Sequence, residues 1–159
     1  MNQIQTKTCF NKFSGDRYYI ITVDGVSLED IVLKNRPDIL EGLVPTLLNW
    51  LEDPEERKEV WLRSFPDLDK KELLPILMCE EDIDFSCTLI IAEVTCDDNF
   101  IYWNKFGLED SDAQTPGEIG KSVMWFDEVK PMKFTIADYS DLLNKFRKNL
   151  KLEGEDSYK

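Results

Sequence analysis

The clearest pattern in the chain is the strict alternation over residues 87–96. Thr88, Ile90, Ala92, Val94 and Cys96 share one face, and Cys87, Leu89, Ile91, Glu93 and Thr95 share the other. Both faces are mostly apolar, which predicts a central strand covered on both sides. The turn formers Asp97, Asp98 and Asn99 follow, then a second β-rich run, Phe100, Ile101, Tyr102 and Trp103, so a tight antiparallel hairpin is expected. A three-residue loop would set Glu93 opposite Trp103 and diagonal to Lys105, where a cross-strand ion pair is its plainest role.

Earlier in the chain, Tyr18, Tyr19, Ile20, Ile21, Thr22 and Val23 predict a first strand, closed by a turn at Asp24-Gly25. Ser27 with Asp30 three residues on is a capping pattern for a short helix carrying Leu28, Ile31 and Val32, which Asn35-Arg36-Pro37 ends. Residues 43–50 are strongly apolar but include Pro45, which a helix tolerates in its first turn. A helix with the stripe Leu47, Leu48 and Leu51 is therefore expected to begin there. Asp53 as cap, Pro54 at the first helical position and Glu56 reaching back predict a second helix, with Val60, Trp61 and Phe65 as its apolar face. Residues 73–79 should be extended but at a sheet edge, because Pro75 has no amide to donate.

Beyond the hairpin, residues 107–120 predict a surface loop, and 121–129 another strand with Val123, Met124, Trp125 and Phe126. Thr135 with Asp138 repeats the capping pattern, and Ile136, Tyr139, Leu142, Leu143, Phe146 and Leu150 line one face of a C-terminal helix. Residues 1–159 are expected to form one α+β domain with a largely antiparallel sheet packed with helices, frayed at about 1–8 and 153–159.

Charge changes this picture from a generic domain to one with a direction. The chain has 19 basic and 32 acidic residues, a net −13. Such a protein is repelled by nucleic acid and by anionic membrane and is attracted over long range to basic partners. Residues 80–118 hold eleven acids and one base, Lys105. Three acidic loops fall in this tract, with Glu80, Glu81, Asp82 and Asp84 in the first, Asp97 and Asp98 in the second, and Glu109, Asp110 and Asp112 in the third. If they gather at one side they form a single negative field for a protein partner; otherwise they are solvated loops that keep the protein in solution.

The chain has no histidine, so no Ser-His-Asp or Cys-His relay and no His-ligated metal is available to it. Cys9, Cys79, Cys87 and Cys96 contain no CxxC pair, and three of them lie within or beside apolar runs. Free thiols in a reducing cytoplasm are expected, with no catalytic residue, no metal site and no cofactor. Asp82, Asp84 and Glu93 as hard-cation ligands are the alternative, which would make the chain a small carboxylate-metal-dependent hydrolase, although the calcium-loop glycine spacing is missing. The tryptophans Trp50, Trp61, Trp103 and Trp125 belong mostly in the core, with a sheet-edge one able to anchor a partner. The residues after Met1 are polar and no run approaches about 20 apolar residues, so neither a signal peptide nor a membrane span is expected.

The W-L-R segment at 61–63, LPILMCEEDIDFSCTLIIAEV at 74–94 and IYWNKFGLE at 101–109 resemble the core of bacterial immunity proteins of polymorphic toxin systems, such as those of contact-dependent growth inhibition. The resemblance spans roughly 50 residues. It implies a non-enzymatic inhibitor that binds one cognate toxin domain, often a basic nuclease, in the cytoplasm.

Overall fold

The computed structural model describes residues 1–11, 15–39 and 42–152, with side chains described as far as 148. The chain opens with a hairpin, β1 (Ile4–Phe10) and β2 (Arg17–Val23), to which β3 (Val26–Ser27) adds a third strand. Asp24 and Gly25, at φ 52° and 83°, make the two-residue turn between β2 and β3. Residues 1–8, expected to fray, instead contain most of β1. Of β1's side chains only Ile4 is buried, so the strand is held by its ladder to β2 and leaves little apolar signal in the sequence. Asn2 fixes its start by donating its amide to the Lys133 carbonyl and accepting from the Lys133 amide, at 2.8 and 2.9 Å. Residues 153–159 lie outside the described residues.

Helix α1 (Leu28–Asn35) begins where its capping pattern placed it, with Asp30 N donating to Ser27 Oγ. The next element departs from expectation. Residues 43–51 are not a helix: β4 (Leu43–Pro45) is followed by turns, although Leu47, Leu48 and Leu51 are buried as a helical stripe would have been. The reason lies in β5 (Glu72–Cys79), which is bulged between Pro75 and Leu77. Thr46 satisfies the two carbonyls exposed at the bulge, its hydroxyl donating to Pro75 O at 2.6 Å and its amide to Ile76 O at 3.0 Å. That pairs the Pro45 segment with β5 and leaves α2 (Pro54–Arg63) as the one helix in this region. Its cap is Asp53 as expected, accepting from the Glu55 and Glu56 amides. Strand β5 is not an edge: it lies between β4 and β6 (Leu89–Cys96), and the bulge accommodates Pro75.

Strand β7 (Phe100–Glu109) pairs with β6 along its length. Its other edge is shared, β9 (Met132–Thr135) pairing with the first half and β8 (Val123–Phe126) with the second. The β6–β7 turn is tighter than expected, with Cys96 opposite Ile101 and only Asp98 and Asn99 beyond the Asp97–Phe100 hydrogen bond. A bulge then leaves Asn104 out of the ladder register with β6, so Glu93 faces Lys105 directly rather than Trp103. The ion pair forms, with Glu93 Oε1 3.8 Å from Lys105 Nζ and 3.7 Å from Lys71 Nζ. The bulge also turns Trp103 and Phe106 to the same face, their rings edge to face at 5.7 Å.

Helix α3 (Ile136–Leu152) closes the molecule across both sheets, with Asp138 N donating to Thr135 Oγ1 at its start. Tyr139 meets Trp103 and Phe134 on the larger sheet, while Phe146 meets Tyr19 on the smaller. The result is a single α+β domain with two mostly antiparallel sheets. Among the described residues, no helix is long and apolar enough to cross a membrane.

Candidate protein-binding surface

Strand direction decides which acidic loops are neighbours. Residues 80–88 join the end of β5 to the start of β6, and residues 110–122 leave the end of β7, so both emerge at one end of the larger sheet. The turn carrying Asp97 and Asp98 lies at the opposite end of β6, about 24 Å away at the usual rise per residue of a strand. The three loops therefore do not form one field: two come together and the third faces away.

Within each loop the carboxylates divide into builders and exposed charges. Glu80 is a builder, accepting from Asn11 Nδ2 at 3.2 Å while its amide donates to Gly42 O. A Cβ at Gly42 would lie 2.4 Å from Glu80 Oε2, so a side chain there would displace that carboxylate. Burial, reinforced by the charges of Glu80, Cys9 and Glu29, pushes the Tyr18 phenol up to about 12. Asp84 Oδ1 accepts from the amide and hydroxyl of Ser86. Glu81 and Asp82 are exposed.

In the third loop, Glu109 braces the chain, accepting from Gly120 N at 3.0 Å and from the Ser111 hydroxyl. Asp110 and Asp112 are exposed. The 3₁₀ turn Pro116–Glu118 is capped by Glu118 itself, which accepts from Gln114 N and Thr115 N. Those amides, the Gln114 one foremost, and Lys121 hold the Glu118 carboxyl below its ordinary range. Arg63, at the end of α2, then clamps the loop to the body. It donates to the carbonyls of Leu73, Gly117 and Ile119 at 2.8–3.2 Å and pairs with Glu59. In the W-L-R segment, the arginine is thus a structural clamp.

At the far end, Asp97 is the turn builder. The Tyr102 hydroxyl, then the Asn99 and Phe100 amides, donate to it and hold its carboxyl below the usual range. Asp98 is exposed.

A half-buried carboxyl that the sequence pattern did not single out for this surface supports the first loop from below. Glu56, expected to reach back to its own helix cap, instead accepts from Phe85 N at 3.4 Å, with its Oε1 buried and unpaired. Burial first, against the opposing Phe85 hydrogen bond, and then the charges of Asp53 and Asp84 raise it to about 7. Strand β8 flanks the same end as a sheet edge. Its half-buried Trp125 lies across Gly107, where a Cβ would come within 2.9 Å of the indole, and Lys105 Nζ sits 4.3 Å from the ring centroid.

Cysteines also gather here. The Sγ atoms of Cys79 and Cys87 and a carboxylate oxygen of Asp82 all lie within 4.8 Å of one another. The sequence signal was available, since continuing the β5–β6 ladder past Met78 and Leu89 sets Cys79 opposite Thr88 and next to Cys87. A search for CxxC spacing passes over it. All four cysteines stand outside disulfides. The Thr88 amide draws the Cys87 thiol down, but burial and the neighbouring Cys79 and Asp82 side chains outweigh it, and its pKa is raised.

A separate groove of about 800 Å³ lies between α1 and the β8–β9 connection, and charges of both signs line it: Asp24, Asp30, Lys34, Glu128 and Lys130. No protein family model, curated protein or solved structure matches the chain.

Proposed function

We propose that the protein is a non-enzymatic immunity protein of the cytoplasm, which neutralises a cognate basic toxin domain by binding it at the acidic end of the larger sheet. The observation that carries this reading is the convergence of residues 80–88 and 110–122 at one end, where Glu81, Asp82, Asp110 and Asp112 are exposed together. The resemblance to immunity proteins over 61–63, 74–94 and 101–109 supports it, because those segments build this end. Asp97 and Asp98 fall outside the surface. Glu80, Asp84 and Glu109 serve it by shaping the loops.

Opposed fields raise the association rate, whereas tightness comes from the few carboxylates desolvated against lysine or arginine and from an aromatic anchor, for which Trp125 on the edge strand is placed. The test uses the toxin domain encoded by the neighbouring reading frame. Asp110→Lys with Asp112→Lys should slow association at least about tenfold at low salt and flatten its salt dependence. Glu81→Lys should speed dissociation and abolish protection of cells expressing the toxin. Asp98→Lys, at the other end, should leave both unchanged. Binding kinetics indifferent to the first three substitutions, or as sensitive to Asp98→Lys, would overturn the assignment.

A further inference from the structure

We infer that Cys79, Asp82 and Cys87 form a binding site for a thiophilic divalent cation of the Zn²⁺ class. It does not rest on the toxin-binding reading, although Asp82 belongs to both surfaces, since it is drawn from the donor atoms of one hairpin loop. Cys79 ends β5 and is buried, fixed by its pairing with Leu43 and by its amide donating to Thr88 O at 3.1 Å. Cys87 enters β6 from the other side of the loop and is exposed. Between them the chain turns back sharply. Ile83 N donates to Cys79 O at 2.9 Å, and Ile83 adopts φ 45°, a conformation a β-branched residue rarely takes. That turn carries Asp82 back towards the two thiols, so the three donor atoms share a space no wider than 4.8 Å.

The donor set selects the ion. Two thiolates and one carboxylate suit Zn²⁺, Co²⁺ or Cd²⁺, whereas Mg²⁺ and Ca²⁺ take oxygen ligands. With Zn–S near 2.3 Å, the sulfurs of a tetrahedral site stand about 3.8 Å apart. The two sulfurs therefore have to close by about 1 Å at most, and the carboxylate oxygen by slightly more, which exposed side chains at 82 and 87 achieve by rotation while Cys79 stays in the ladder. The fourth position faces solvent and takes water. The remaining thiols have other surroundings: Cys96 sits at the opposite end of β6, its Sγ donating to Pro66 O at 3.3 Å, and Cys9 lies in β1. Binding would release the two thiol protons as the dication enters. The charge of the group is the same before and after, and the acidic loop becomes cross-linked without losing its field.

The test titrates the reduced full chain, under argon, with Co²⁺ and then Zn²⁺. One equivalent of Co²⁺ should bring a thiolate-to-metal charge-transfer band in the near ultraviolet and tetrahedral d–d bands in the visible, both displaced by Zn²⁺. Cys87→Ser should remove most of the charge-transfer intensity and weaken Zn²⁺ binding by more than about tenfold. Because Cys87 is exposed, this variant should fold, as its metal-free melting temperature would show. Asp82→Asn should weaken binding but keep the charge-transfer band, and Cys96→Ser should change nothing. The absence of a thiolate band in the wild-type chain, or an undiminished band in Cys87→Ser, would overturn the assignment.

Discussion

The Tyr139 hydroxyl donates to the Ser64 carbonyl over 2.5 Å, joining the first turn of α3 to the residue that ends α2. Both residues are buried, and burial raises the phenol above its usual pKa, which keeps it a donor at neutral pH. Tyr139→Phe keeps the ring contacts with Trp103 and Phe134 but strands a buried carbonyl. It should cost about 1–3 kcal/mol, read as a lower denaturant midpoint with an unchanged slope.

Phe146 is fully buried and packs edge to face with Tyr19, so α3 helps to hold the smaller sheet against the larger. Phe146→Ala should destabilise the protein by about 3–5 kcal/mol. A loss well under 1 kcal/mol in equilibrium unfolding would mean that α3 is peripheral to the core.

Arg63 supplies donors to three carbonyls on two separate segments, a fork that lysine cannot reproduce. Arg63→Lys should cost about 2 kcal/mol. Amide exchange should quicken at Ile119, Gly120 and Lys121, whose hydrogen bonds depend on the loop's position, while the β6 amides stay protected. Equal acceleration throughout would show global loosening instead of release of the clamp.

Glu56 gives stability an unusual pH dependence. Its carboxyl titrates near 4.5 when unfolded and about 7 when folded, so the folded state holds the proton more tightly. The favourable contribution is complete below about pH 4.5 and is lost as pH rises through 7. Melting temperature should therefore fall between pH 5 and 8, and Glu56→Gln should flatten that slope and leave the variant the more stable form at pH 8. Asp24, Asp97 and Glu118, whose carboxyls are held low, act in the opposite sense and only at more acidic pH.

Elements written in local chemistry were legible from the residues alone. The caps Ser27, Asp53 and Thr135 start the three helices, alternation marks β6, and a run of aromatic and β-branched residues marks β2, because a capping hydrogen bond, a two-faced strand or a local preference involves only residues close in sequence. The thin strands were not legible. β1 buries one side chain, β3 spans two residues and β4 contains a proline, so each exists by the hydrogen bonds of a partner strand and not by a pattern of its own. The same distinction divides the candidate site. The acid at 80–118 was visible as composition, but only tertiary structure separated Glu80, Asp84, Asp97 and Glu109, whose oxygens are occupied by amides and hydroxyls, from the exposed Glu81, Asp82, Asp110 and Asp112. Which loops meet was likewise decided by the sheet: turns at the two ends of β6 must point apart, while the end of β7 returns the chain to the end where β6 began. A bulge at Asn104 finished the arrangement, since one extra residue turned Trp103 into the core and set Glu93 against Lys105, and no local preference of that residue predicts a register change.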